Sequence, residues 1–470
     1  MSAPDSLDAA FHRLHAASRR DPFPAFAERR AMLRLLLDAI VAGKPEIAQA
    51  IDADFGGRSI EESLQGEIVP ALTFIKHARR HLGRWMRPER RWIAIKYLFA
   101  SNRVVYQPLG VVGVIAPWNY PVALSMGPLI ASLAAGNRTI LRLSERVPRT
   151  AAVLGEILAR TLPDFAWMAP NDHETSVAMT ALPFDRLVFT GSTEVGRAVM
   201  RAAADNLTPV TLELGGKSPA IVHPSYDIDK AATRIAWGKF FNAGQTCIAP
   251  DYALIHRPAL PAFVDAVSAT IRRLYPNAPA NPDYTAVIDE EAFRKVAGLV
   301  DDARSKGATV LQFPQDAPAG PHQKFPPTVV VDATDDMRVM QEEIFGPILA
   351  IRAYDDFDEI FPYLAGRPRP LALYYFDDDR ARVDRVLRET VSGGVAVNDT
   401  LLQFMQEALP FGGVGPSGMG RYHGFEGFVT MSNQRAVYRA GVLNLNRLVH
   451  PPYRGYMRFL LDRATRRTPF

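Results

Sequence analysis

The chain has 470 residues, of which 48% are hydrophobic and 22% charged, a balance that supports substantial buried cores and excludes a disordered polymer. Its formal net charge is +4, spread along the chain with no dense basic stripe interleaved with aromatics, which argues against a nucleic-acid partner. A single cysteine excludes an internal disulfide and a thiolate-only metal site.

The opening Met1-Ser2-Ala3-Pro4-Asp5 lacks a charged segment followed by an apolar run, so no secretory signal is expected, and the scarcity of cysteine fits a cytoplasmic location. Up to about residue 91, apolar positions recur at helical spacing, as in Met32, Leu33, Leu35, Leu36, Leu37 and Ile40. His77 and His81 stand four apart, a spacing able to hold a metal on a helix face. No acidic partner is near, so a solvated helix face is the favoured reading and no metal is expected.

Residues 109–137 carry no charge, which is long enough to span a bilayer. Pro117, Pro121, Pro128 and Asn119 interrupt the run, and it is read instead as a buried strand, a turn and a buried helix. From there short apolar runs alternate with longer helical ones. Strands are expected at 111–116, 139–143, 187–190 and 210–214, with helices such as 149–162 and 193–206 between them. Further strands are expected at 253–256, 328–331, 348–354, 371–376 and 395–398, with a Pro-rich surface loop at 312–327. The pattern is that of an α/β protein with two sheet layers and the lone thiol, Cys247, near their junction, where a ligand cleft is expected. Near the C-terminus, Tyr453, Tyr456, Met457, Leu460 and Leu461 fall on one helical stripe. It predicts a helix docked on this chain or on a partner subunit, in preference to one lying on a membrane surface.

Four short stretches carry chemistry. Cys247 follows Asn242-Ala243-Gly244-Gln245-Thr246, a polar, flexible turn that an inert core cysteine seldom follows, so a nucleophile is expected. Glu213 lies on an apolar run before Gly215 and Gly216. Burial there raises a carboxyl pKa and suits a general base, the alternative being a structural pair with Lys217. Asn119, between Pro117 and Pro121, is either a turn residue or a donor to an oxyanion. Gly191 and Ser192 sit between a strand and a helix, and make either an anion site or an ordinary helix cap. A formal G-x-G-x-x-G at Gly413-Val414-Gly415-Pro416-Ser417-Gly418 follows no good strand and holds a proline, so it is read as a rigid glycine loop.

Together these stretches resemble the NAD(P)-dependent aldehyde dehydrogenase superfamily over nearly the whole chain. The resemblance rests on Pro117-Trp118-Asn119, Phe189-Thr190-Gly191-Ser192, Glu213-Leu214-Gly215-Gly216-Lys217, Gly244-Gln245-Thr246-Cys247 and Glu343-Ile344-Phe345-Gly346-Pro347, all in the family's order. Cys247-Ile248-Ala249-Pro250-Asp251-Tyr252 and Ser417-Gly418-Met419-Gly420-Arg421-Tyr422-His423-Gly424 are similar to its class 3 branch, nearest the bacterial coniferyl aldehyde dehydrogenases.

The resemblance implies a Rossmann-type cofactor domain (1–97 with 109–214), an α/β catalytic domain (215–405), a glycine loop returning to the cofactor domain (406–431), and an oligomerisation arm (98–108 with 432–470) that would form a homodimer. It implies Cys247 as nucleophile, Glu213 as base for the deacylating water, and Asn119 with the Cys247 N–H as oxyanion hole. NAD, or NADP, would be held by Trp118, Gly191, Ser192, Glu343, Phe345, Arg142 and Glu145. The family's usual Lys-Pro-Ser-Glu is here Arg142-Leu143-Ser144-Glu145, so reach toward the adenosine ribose differs. Tyr120, Ile248, Phe404 and Phe411 are the candidate walls for an apolar or aromatic aldehyde of the coniferaldehyde kind. The alternatives are a medium- or long-chain aliphatic aldehyde or a semialdehyde dehydrogenase and, outside enzymes, a silent scaffold on the same fold.

Overall fold

The computed structural model describes residues 6–94, 97, 99–315, 324–441, 450–453 and 455–465, with the side chains of Leu460 and Ala464 left aside. Three sheets organise the described residues. The first runs, edge to edge, Gly418–Met419, Val210–Glu213, Arg186–Thr190, Val111–Ala116, Arg138–Leu143 and Ala166–Met168, and is parallel except for its first pair. The second runs Thr309–Gln312, Thr328–Val331, Ile348–Tyr354, Tyr252–His256, Pro219–Val222, Ala372–Phe376 and Gly394–Val397, again parallel except for its first pair.

Both large sheets are covered on both faces, which is why their strands read as unbroken apolar runs. The two-residue period still sorts the side chains. Val112 and Val114 enter one core with Leu36, Ile75 and Leu129, whereas Val111 and Ile115 enter another with Phe11 and Leu14. In the second sheet, Ala253, Ile255, Leu349 and Ile351 face one core, and Tyr252, Leu254, Ile348 and Ala350 the other. The charge-free stretch forms the strand Val111–Ala116 and the helix Ala123–Ala135, every residue of which is buried. Among the described residues no helix is long and apolar enough to cross a membrane.

The strands at Ala166–Met168, Pro219–Val222 and Thr309–Gln312 were not expected. Each is three or four residues long, too short to show a period. The N-terminal helices end at Trp85 rather than near residue 91, because Pro88 cannot continue a helix and Glu89–Arg91 pairs instead as a strand. That strand, Ser101–Pro108 and Ser432–Arg439 make the third, antiparallel sheet.

The C-terminal helix spans Gly455–Thr465 and so excludes Tyr453. Among the described side chains of the predicted stripe Met457 is buried, while Tyr456 and Leu461 are exposed. Leu460 lies outside the described side chains, as residues 316–323 of the expected loop lie outside the described chain.

Candidate active site

Cys247 follows the helix Ile228–Phe240 and a distorted turn, Phe241–Gly244. Asn242, Ala243 and Gly244 all have positive φ. At Gly244 the reason is contact: a Cβ there would lie 2.2 Å from the Gly346 carbonyl oxygen. The turn is knitted to the segment bearing Asn119. Asn119 Nδ2 donates to the Gln245 carbonyl at 3.1 Å, and Asn242 Nδ2 donates to the Asn119 carbonyl at 3.1 Å. Tyr120 and Thr246 hydroxyls hydrogen-bond at 2.7 Å.

Two cavities meet at Cys247. One, of about 410 Å³, is lined by Trp118, Asn119, Gly191, Ser192, Glu213 and Phe345, with Glu343 and Lys295. The other, of about 80 Å³, is apolar and lined by Tyr120, Trp237, Phe241, Ile248, Leu401 and Phe404, with Gly66, Gln65 and Leu124 among the rest. Phe411 is not a wall of this tunnel. It stands behind Phe404 in edge contact, ring centroids 4.9 Å apart, and supports it.

Glu213 is buried and neither carboxylate oxygen has a hydrogen-bond partner. Desolvation pushes its pKa well up, opposed only by the charge of Arg421. Lys217 does not pair with it, because its ammonium is taken by Asp251 at 2.6 Å. Burial also pushes Glu343 up to about 7, with the Asp251 charge adding and the Gly216 N–H, Lys295 and Lys217 opposing. Cys247 is pushed up to about 12, first by burial and then by the facing carboxylates Glu343 and Glu213, while its own N–H and that of Ile248 pull the other way. Those two N–H groups therefore favour the thiolate, the nucleophilic form.

The larger cavity is lined to suit the nicotinamide and diphosphate part of a dinucleotide. Ser192 caps the helix Thr193–Ala204, accepting from the Val195 N–H at 3.3 Å, and also lines the cavity, so the cap and the anion-site readings describe one feature. Glu343 Oε1 is buried without a partner, as expected of a group waiting for a ribose hydroxyl. Gly215 leaves room for that carboxylate, since a Cβ would lie 2.1 Å from Glu343 Oε2.

Arg142 departs from its expected place. It is buried, and its Nη2 donates to Glu145 Oε2 at 2.6 Å and to the carbonyls of Asn171 and Asp172 at 3.0 and 2.9 Å. It therefore holds Glu145, which remains half exposed, instead of reaching a ligand itself.

Several contributors were invisible in the sequence. Arg58 donates to the Asn119 carbonyl at 2.9 Å and to Glu67 at 3.1 Å, and Glu67 in turn accepts from the N–H groups of Val122 and Ala123. Glu62 accepts from the Asn242 N–H at 3.0 Å. All three residues lie more than 50 positions before the turn they support, with no local motif to mark them. His77 and His81 pack ring to ring at 4.2 Å beside Trp85, and among the described residues no group of metal ligands is found.

The aldehyde dehydrogenase family profile matches residues 4–437. A Pseudomonas aeruginosa protein named "Probable coniferyl aldehyde dehydrogenase" is 48% identical over 450 residues, covering 96% of this chain and 94% of its own. A solved structure described as the substrate-bound state of Staphylococcus aureus AldH superposes with a TM-score of 0.92 at 34% identity, covering 98% of this chain and 100% of that one. The NAD+ complex of a Bacillus cereus aldehyde dehydrogenase gives a TM-score of 0.83 at 26% identity, over 93% and 89% of the two chains. With a thiol at the meeting point of a larger cleft and an apolar tunnel, this chain belongs to the aldehyde dehydrogenase family and oxidises an aldehyde to the carboxylic acid with NAD(P).

Proposed function

We propose that the substrate is an apolar or aromatic aldehyde of the coniferaldehyde type, bound in the tunnel walled by Tyr120, Trp237, Phe241, Ile248 and Phe404. The observation that carries this is the tunnel itself, which brings an apolar wall to Cys247, where it meets the larger cleft. Burial of aromatic surface against such a wall contributes roughly 25 cal/mol per Å². The name of the Pseudomonas aeruginosa relative supports the same class. Aliphatic aldehydes of medium or long chain are the second reading, since the same wall accepts them.

In this reading Cys247 gives up its proton to water and attacks the carbonyl carbon as the thiolate, and the oxyanion so formed is stabilised by Asn119 and the Cys247 N–H. NAD(P), when bound, takes the hydride that leaves the substrate carbon. Glu213 then removes a proton from the water that hydrolyses the thioester, releasing acid and free thiol. A carboxylate with no partner, its basicity raised by burial, is suited to accept that proton. Glu343, Phe345 and Trp118 hold the nicotinamide end, Gly191 and Ser192 the diphosphate, and Glu145, braced by Arg142, the adenosine ribose. A carboxylate at that ribose repels a 2′-phosphate, so NAD is preferred over NADP.

The division into domains 1–97 with 109–214, 215–405, 406–431, and 98–108 with 432–470 is supported by the two large sheets, whose strands fall within the first three units, while Glu89–Arg91 of the first unit pairs in the third sheet. A homodimer formed through the third sheet and the C-terminal helix would cover Tyr456, Phe459 and Leu461, which this chain leaves exposed. Catalytic efficiency across acetaldehyde, succinic semialdehyde, octanal and coniferaldehyde tests the substrate. Coniferaldehyde is expected first, and either of the two small aldehydes ranking first overturns the reading.

A further inference from the structure

We propose that the partly buried Lys217–Asp251 ion pair is a positioning element for the nicotinamide end of the cofactor, acting through the backbone on either side of Glu343. Lys217 Nζ donates to Asp251 Oδ2 at 2.6 Å and to the carbonyls of Val339 and Glu342 at 2.7 and 2.8 Å. The same Asp251 carboxylate accepts the Ile344 N–H at 3.3 Å. The carbonyl before Glu343 and the N–H after it are thus tied to one ion pair. Lys295 adds a third tie, to the Glu343 carbonyl at 2.8 Å.

The loop so held touches both halves of the site. The Glu343 carboxylate lies against Gly215, two residues beyond Glu213. Phe345, in the left-handed region at φ 50°, meets Trp118 edge on with centroids 5.4 Å apart. Gly346 closes on Gly244 in the turn before Cys247. A shift of the loop therefore moves Glu343 and Phe345 relative to the sulfur. Lys239, fully buried and 3.6 Å from Asp251 Oδ1, puts a second cation on the same carboxylate without reaching the loop. A buried ion pair is weak evidence of stability, and its directional ties are better explained as setting register.

The proposal rests on the assignment of Glu343 to the nicotinamide ribose. Its test is Lys217→Met, which cuts the ties to 339 and 342 and leaves Asp251 paired with Lys239, so no lone buried anion is created. The NAD Kd, measured by calorimetry, is expected to rise about 10-fold and the NADH burst to slow by about 10²-fold, the scale of a 1 Å misplacement. Acylation of Cys247 by p-nitrophenyl acetate without NAD, read as the p-nitrophenolate burst, is expected to fall by no more than about twofold. An unchanged Kd and NADH burst overturns the proposal, and so does a p-nitrophenolate burst that falls in step with the NADH burst. If Lys217→Met does not fold, Asp251→Leu with Lys239→Leu removes both acceptor oxygens, cuts the Ile344 tie and is judged by the same readouts. Glu343→Gln separates the two layers: an unchanged Kd there removes the ribose assignment, whereas a weakened Kd there with a normal Lys217→Met removes the clamp alone.

Discussion

Lys217 and Glu213 lie four residues apart and do not pair: the Lys217 ammonium sits 2.6 Å from Asp251, and both Glu213 oxygens are left without a hydrogen bond. The separation frees a carboxyl beside the thiol to act on water. It also commits the lysine to the loop that carries Glu343. Both consequences follow from one strand ending at Glu213 and the chain passing through two glycines before Lys217.

Removing the Glu213 carboxylate should stop the cycle after hydride transfer. Glu213→Gln is expected to give one burst of NADH, then slow turnover, with an acyl adduct on the sole thiol visible by intact mass. Cys247→Ala should give neither burst nor adduct. Normal steady-state turnover in Glu213→Gln would remove the base assignment.

The thiol should be sluggish in the cofactor-free enzyme. Burial pushes it up to about 12, and the Glu343 and Glu213 charges add to that. Only the thiolate alkylates, so the iodoacetamide rate should climb with pH through about pH 10 without a plateau. Glu343 itself is raised only to about 7, so it is charged at pH 9, and removing that charge pulls the thiol down. Glu343→Gln should therefore alkylate faster at pH 9. A wild-type plateau below pH 9 would contradict the account.

Arg58 should matter to both stability and turnover. Arg58→Met leaves Glu67 buried without its ion-pair partner, which costs about 3–5 kcal/mol, and withdraws the donor from the Asn119 carbonyl. Thermal unfolding is expected at a clearly lower Tm. Arg58→Met with Glu67→Leu should recover much of the Tm but not the turnover. Recovery of both would show that Arg58 serves packing alone.

Narrowing the tunnel should discriminate by substrate size. A Cβ on Gly66 would lie 3.1 Å from the rings of both Phe241 and Tyr120. Overpacking on that scale costs roughly 1–3 kcal/mol. Gly66→Ala is expected to lower kcat/KM for coniferaldehyde and leave acetaldehyde nearly unchanged. Equal losses for both would mean that Gly66 does not shape the tunnel.

The adenosine end offers a cofactor test. Glu145→Gln should raise the efficiency with NADP relative to NAD, because it removes the charge facing a 2′-phosphate. Arg142→Met should weaken NAD binding by loosening Glu145, whose carboxylate it holds at 2.6 Å. An unchanged cofactor ratio in Glu145→Gln would remove this carboxylate from the site.

The sequence by itself determined the α/β class, most of the strands, the family, and the residues whose chemistry is local. Val111–Ala116 and Ile348–Tyr354 were legible because strands buried on both faces must be apolar throughout. Cys247 was legible because a lone thiol after a polar glycine turn has few other uses. Only the tertiary structure decided which groups meet. Arg142 looked like a ligand donor and turned inward to Glu145 and two carbonyls; Phe411 looked like a wall and stands behind Phe404. Arg58, Glu62 and Glu67 came to the site from a distant helical segment, and Asp251 took the lysine that sequence spacing offered to Glu213. The physical reason is common to them all: a buried charge must find a partner in three dimensions, and the partner that compensates its desolvation is seldom near in sequence.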